Sequence, residues 1–204
     1  MKIVVTRAEA QADELAARLE ALGHEVVRCP LIQIEALGDE PIDASGYEWL
    51  VVTSPNGAHE VARRLAAPAS RIAAIGPGTA EALRAHGLQV DLVPRVHTQE
   101  GLRDELPPGR LLLAAAEGAR RDVLDADFLP LYRTVELHPP APHGDLAIVA
   151  SASAARALAA TGARVPVVAI GPQTEAEARE HGLDVVAVAA SHDLDGLVDV
   201  IQSL

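Results

Sequence analysis

A chain that carries one fourteen-residue segment twice must either stack its repeats or build two copies of one module. Residues 75–88 read IGPGTAEALRAHGL and residues 170–183 read IGPQTEAEAREHGL, identical at eight of fourteen positions. The match extends backwards to Val52-Thr53-Ser54 and Val149-Ala150-Ser151, and forwards to Gly101-Leu102 and Gly196-Leu197. A fainter echo pairs Pro30-Leu31 and Leu37 with Pro130-Leu131 and Leu137. Two copies are too few for a solenoid, so the repeat predicts a bilobed molecule that uses one set of βα units twice. The 204 residues allow lobes of ~100 residues, an ordinary size for a small domain.

Hydrophobic patterning gives the class of those units. Short apolar runs at 3–5, 25–29, 50–52, 72–75, 90–93, 111–113, 147–149, 165–170 and 185–188 read as strands. Helical periods lie between them; over 8–22, Ala12, Leu15, Leu19 and Leu22 share one face, with Gly23 as the stop. Such alternation indicates an α/β fold with parallel sheets covered on both faces. Periodicity leaves the division open. A tandem layout cuts near Pro107-Pro108; a crossed layout has residues 1–34 complete the C-terminal domain, with 40–132 as a continuous insert.

Composition removes several functions. Seventeen basic against twenty-nine acidic residues, a net of −12, leave no dense basic face for nucleic acid. Lys2 is the only lysine, which argues against Schiff-base and pyridoxal chemistry. The aromatics are Tyr47, Trp49, Phe128 and Tyr132, too few for flavin or single-strand stacking platforms. No run approaches the ~18–20 apolar residues of a membrane span, and the N-terminus lacks an export signal, so a cytoplasmic location is expected. Cys29, the single cysteine, sits in an apolar run and reads as a buried structural thiol.

Three kinds of strand-to-helix turn recur. Ser54-Pro55-Asn56-Gly57 places a good N-cap before proline at the first helical position, and its partner is Ser151-Ala152-Ser153. Gly76-Pro77-Gly78-Thr79 is matched by Gly171-Pro172-Gln173-Thr174, and Thr6-Arg7 opens the first helix. Taken singly, each turn reads as a helix cap. Repeated in both lobes, at the strand ends where α/β proteins bind ligands, they suit an anionic molecule held between the lobes.

Sharper motifs are missing. Gly76-Pro77-Gly78 lacks the third glycine of a dinucleotide fingerprint, and there is no Gly-Lys-Ser/Thr or G-x-S-x-G. The eight histidines lack metal-ligand spacing. His86 and His181 read as C-cap residues before a glycine, and Asp193 and Asp195 as acids suited to the start of the last helix. Tyr132, in Pro130-Leu131-Tyr132-Arg133-Thr134, is the one aromatic whose place in a connector would let it face a cleft.

These pieces together resemble the uroporphyrinogen-III synthase family. The matching residues are Thr6-Arg7, Thr53-Ser54-Pro55-Asn56-Gly57, Ile-Gly-Pro-x-Thr at 75–79 and 170–174, Glu100-Gly101-Leu102, Tyr132-Arg133-Thr134 and Ser151, spread over nearly the whole chain. The resemblance implies two flavodoxin-like parallel-sheet domains, 1–34 with 140–204 and 40–132. A two-stranded connector (35–39 and 133–139) would join them, with a cleft between. It implies cyclisation of hydroxymethylbilane, with loss of water and inversion of the last pyrrole, to uroporphyrinogen III. No cofactor or metal is implied. Tyr132 would assist departure of the hydroxyl. Thr6, Arg7, Ser54, Pro55, Asn56, Gly76, Thr79, Ser151, Ala152, Gly171 and Thr174 would bind substrate. A monomer is expected, with transient hand-off from porphobilinogen deaminase.

Two features depart from the family pattern. Where an arginine is usual, the chain reads Ala114-Ala115-Ala116-Glu117, with Arg120 and Arg121 as the nearest substitutes. The stretch 121–132 is also short. A non-catalytic tetrapyrrole-binding or sensing module of the same fold is the alternative these departures suggest.

Overall fold

The computed structural model describes residues 1–204 apart from the side chain of residue 10. In chain order, the first half holds β1 (Lys2–Val5), α1 (Glu9–Ala21), β2 (Glu25–Arg28), β3 (Ile32–Ala36), β4 (Ile42–Asp43), β5 (Trp49–Val52), α2 (Pro55–Arg64), β6 (Leu65–Ala67), β7 (Arg71–Ala74), α3 (Pro77–Ala85) and α4 (Gln99–Glu105). The second half holds β8 (Leu111–Ala116), β9 (Asp127–Glu136), β10 (Leu146–Val149), α5 (Ala152–Ala160), β11 (Val167–Ala169), α6 (Pro172–Glu180), β12 (Val185–Val188) and α7 (Leu194–Gln202). The chain divides into two compact units, residues 1–33 with 134–204 and residues 34–133.

The first unit is built on a parallel sheet of order β12-β11-β10-β1-β2. Ile3–Val5 and Leu146–Val149 are buried on both faces, which is why these strands are unbroken apolar runs. Alternate side chains divide the core. Val4, Ala147 and Val149 pack under α5 and α6 with Leu158 and Ala178, while Ile3, Val5 and Ile148 pack under α1 and α7 with Leu15, Leu19 and Leu197. The chain leaves β1 towards β2 and returns at β10 to build the other side, so the strand order reverses between β1 and β10.

The second unit has a sheet of order β3-β9-β8-β5-β7 and a separate parallel pair, β4 with β6. Pairings β5·β7, β5·β8 and β8·β9 are parallel. Leu50 and Val52 pack with Ala58 and Val61 of α2 and Leu83 of α3; Trp49, Val51 and Leu113 pack with Leu102 of α4 on the opposite face. Here the order reverses between β5 and β8. Buried Arg64 fastens the end of α2 to the loop between β3 and β4 by donating to the carbonyls of Glu40 and Leu37.

Several expectations need correction. The run 90–93 is not a strand and makes only the isolated bridge Ala73–Leu92. Asp91 turns its carboxylate onto the Ile72 amide, and Pro94 has no N–H to extend a ladder. Leu22 does not join the buried face of α1; it is the C-cap and is exposed. Cys29 is half-buried rather than buried. The pair β4 and β6 has no sequence signal, because runs of two and three residues carry no readable period. The link between β8 and β9, expected to be short, is residues 117–126 in turns and bends, closed by the Glu117 amide on the Tyr132 carbonyl.

Candidate active site

Both reversal points lie beside helix starts, the place where open parallel sheets bind ligands. In the first unit these are the turns after β1 and β10; in the second, the turn after β5. Ser54 and Ser151 cap α2 and α5 in the same way, each extended in backbone and each accepting from the amide three residues on, Gly57 N at 2.9 Å and Ala154 N at 3.1 Å. The glycine turns differ. Gly76 and Gly171 open α3 and α6 in extended conformation with no side-chain cap, and proline follows each. Their first-turn amides therefore lack the acceptor that serine supplies elsewhere, and the helix dipole leaves them suited to an anion.

Tyr132 lies on β9, beside β8, and is 6% exposed. Its hydroxyl is 2.8 Å from Ser54 Oγ and also hydrogen-bonds the Asn56 side chain. Burial pushes the phenol above its ordinary pKa, and the two hydrogen bonds only partly offset this. The phenol therefore keeps its proton at neutral pH. If Ser54 and Asn56 donate to it, that proton is available to a third group.

The other predicted residues separate by what their side chains do. Thr6 is fully buried and donates to the Ile148 carbonyl at 2.6 Å, tying the turn after β1 to β10. Thr79 and Thr174 lie in the first turns of α3 and α6 and are 3% and 5% exposed. Pro55 and Ala152 start their helices and contribute backbone only. Arg7 is half-buried, and its Nε is buried with no hydrogen-bond partner. Desolvation draws its pKa down, with Glu14 opposing. Such a cation gains from a carboxylate brought by a ligand.

The two arginines considered as substitutes are engaged elsewhere. Arg120 pairs with Glu100 at 2.7 Å, and Arg121 lies over the Phe128 ring at 3.9 Å. Among the described residues, no group of three or more His, Cys, Asp or Glu is arranged to hold a metal ion, and no helix is long and apolar enough to cross a membrane. Sequence reasoning missed two histidines, His97 and His192, that pack on the glycine turns.

This fold and these turns define a class: parallel-sheet α/β proteins with open helix starts at the carboxyl ends of their strands. Within that class, the family model described as uroporphyrinogen-III synthase HemD matches residues 13–199, and the chain belongs to that family. A putative uroporphyrinogen-III synthase of Methanocaldococcus jannaschii is 29% identical over 151 residues, covering 67% of this chain and 63% of the relative. A uroporphyrinogen-III synthase of Synechococcus elongatus is 32% identical over 142 residues, 61% of this chain and 54% of the relative. The match thus spans less than two thirds of either relative. The fold is similar to that of a mutant uroporphyrinogen III synthase from the extremely thermophilic bacterium Thermus thermophilus, with a TM-score of 0.63 at 16% identity over 100% of this chain and 98% of that one.

Proposed function

We propose that the chain is a uroporphyrinogen-III synthase that closes linear hydroxymethylbilane, with loss of water and inversion of the last pyrrole, to uroporphyrinogen III. The observation that carries this beyond family membership is the Tyr132 hydroxyl, buried, protonated and held by Ser54 and Asn56 at the start of α2.

The substrate carries eight carboxylates and no phosphate. In this reading the helix-start amides at Ser54, Gly76, Ser151 and Gly171 hold carboxylates, and Arg7 takes one by charge. Thr6 shapes its turn through the Ile148 carbonyl, and Pro55, Asn56, Thr79, Ala152 and Thr174 line the site. The ligand lies in a cleft between two flavodoxin-like lobes, 1–34 with 140–204 and 40–132, linked by the connectors 35–39 and 133–139. Such a monomer would receive its substrate from the deaminase in the cytoplasm.

Loss of the hydroxyl needs a proton, and a phenol above its usual pKa of ~10 can donate one at neutral pH. A donor only 6% exposed acts where little water competes. The linear substrate closes unaided to the wrong isomer, so the larger task is geometric: folding the chain so that the correct carbon attacks. The test is isomer-resolved chromatography of the product from freshly made hydroxymethylbilane. Type III product supports the proposal. Binding without type III product would favour a sensing module, a reading the short stretch 121–132 also suits.

A further inference from the structure

The duplicated glycine turns carry a duplicated partner. A methyl group on Gly76 would lie 3.4 Å from Cβ and Cγ of His97, and one on Gly171 would lie 2.8 Å from Cδ2 of His192. In both copies the histidine follows the glycine by twenty-one residues and opens the same pattern, His97-x-x-Glu100-Gly101-Leu102 and His192-x-x-Asp195-Gly196-Leu197.

The loops that carry them are held alike. Thr98 accepts from Gly101 N to cap α4, and Asp193 accepts from Gly196 N to cap α7. Gly101 and Gly196 pass so close to the preceding loop that a Cβ would stand 2.0 Å from the Val96 carbonyl oxygen and 2.2 Å from that of Ser191. Two loops that differ in most side chains thus place an imidazole on the opening glycine of α3 and of α6. Both histidines remain exposed.

Packing alone does not explain the choice of histidine. Four of the other five helix starts use an acceptor, Ser54, Thr98, Ser151 or Asp193, to satisfy an amide, and α1, which follows Ala8, has none. At α3 and α6, where no side-chain cap exists, the chain supplies a group that always bears an N–H donor. The neutral ring holds one N–H and one acceptor nitrogen, so its N–H can be turned to an external acceptor beside the unfilled amides.

We infer that His97 and His192 are ligand-contacting residues, one in each unit, each giving an imidazole N–H to a carboxylate that the adjoining helix-start amides also hold. This rests on the polycarboxylate substrate proposed above and adds one contact per unit to it.

The experiment measures steady-state kinetics with freshly generated hydroxymethylbilane, alongside equilibrium binding of uroporphyrin III read by fluorescence. His97→Ala and His192→Ala should each raise KM, and weaken uroporphyrin III binding, about fivefold, with kcat nearly unchanged. The double variant should multiply the effects, since separate sites add in free energy. Asn, which keeps a donor, should restore most of the loss; Phe, which covers the glycine without donating, should not. An unchanged KM and affinity in the double variant, or full rescue by Phe, overturns the inference. A wild-type protein that binds uroporphyrin III without turnover refutes the catalytic reading, and the affinities then decide for the histidines. A wild type that does neither overturns both.

Discussion

The Tyr132 hydroxyl lies 2.8 Å from the hydroxyl of Ser54, which itself accepts from Gly57 N at the first turn of α2. One serine thus serves both a helix start and a phenol contributed from 78 residues away. The phenol and the start of α2 are thereby fixed to each other rather than to separate loops.

Replacing Tyr132 with Phe removes the donor and keeps the ring in its cluster. The expected result is a fall in kcat for type III product of about a hundredfold, with folding intact and some turnover remaining. Isomer-resolved chromatography with a thermal melt checks it, and unchanged type III formation removes Tyr132 from the mechanism.

Ser54→Ala and Ser151→Ala each lose an N-cap worth about 1 kcal/mol. Both should lower the melting temperature by about 2–4 °C. Only Ser54→Ala also removes one of the two side chains that hold the phenol, leaving Asn56, so it should slow the chemical step, measured as kcat, beyond what Ser151→Ala does.

Gly101→Ala and Gly196→Ala force a Cβ onto backbone carbonyls, which cannot swing aside as a side chain can. Each is expected to cost about 3 kcal/mol or to reduce soluble yield. Gly78→Ala, with nothing within 4 Å of the new atom, is expected to be neutral or stabilising by about 0.5 kcal/mol. Chemical denaturation separates the cases.

Stability should fall on both sides of neutrality. The folded state raises the Tyr132 pKa, chiefly by burial, so between the unfolded value of ~10 and the folded one the native protein holds more protons and stability drops as pH rises. Tyr132→Phe should flatten this alkaline limb. The Gly196 amide and the Ser191 hydroxyl hold the Asp193 carboxyl below its usual range. Its contribution is present above ~4 and is lost as pH falls through the folded value. Asp193→Asn keeps a cap and should flatten the acid limb in melts against pH.

What could be read from the chain was what leaves a local chemical mark. Glycine followed by proline at a helix start, and serine three residues before an unbonded amide, announce Gly76, Gly171, Ser54 and Ser151 without any tertiary knowledge. Parallel-sheet character was legible from strands buried on both faces, such as Leu146–Val149. The direction of a hydroxyl was not: Thr6 occupies the expected turn but spends its hydroxyl on the Ile148 carbonyl, because a turn's sequence does not say which side the core lies on. Nor was the contact of His97 and His192 with the glycines visible. Thr98-Gln99 and Asp193-Leu194 share no residue, and only the fold shows that both loops end at the same place.

The most direct measurement is a coupled assay in which porphobilinogen deaminase supplies hydroxymethylbilane and the product is scored as isomer III against isomer I. The expected product is predominantly isomer III with the wild-type chain, with a shift towards isomer I for Tyr132→Phe. Isomer I alone, in the amount formed without the protein, would contradict it.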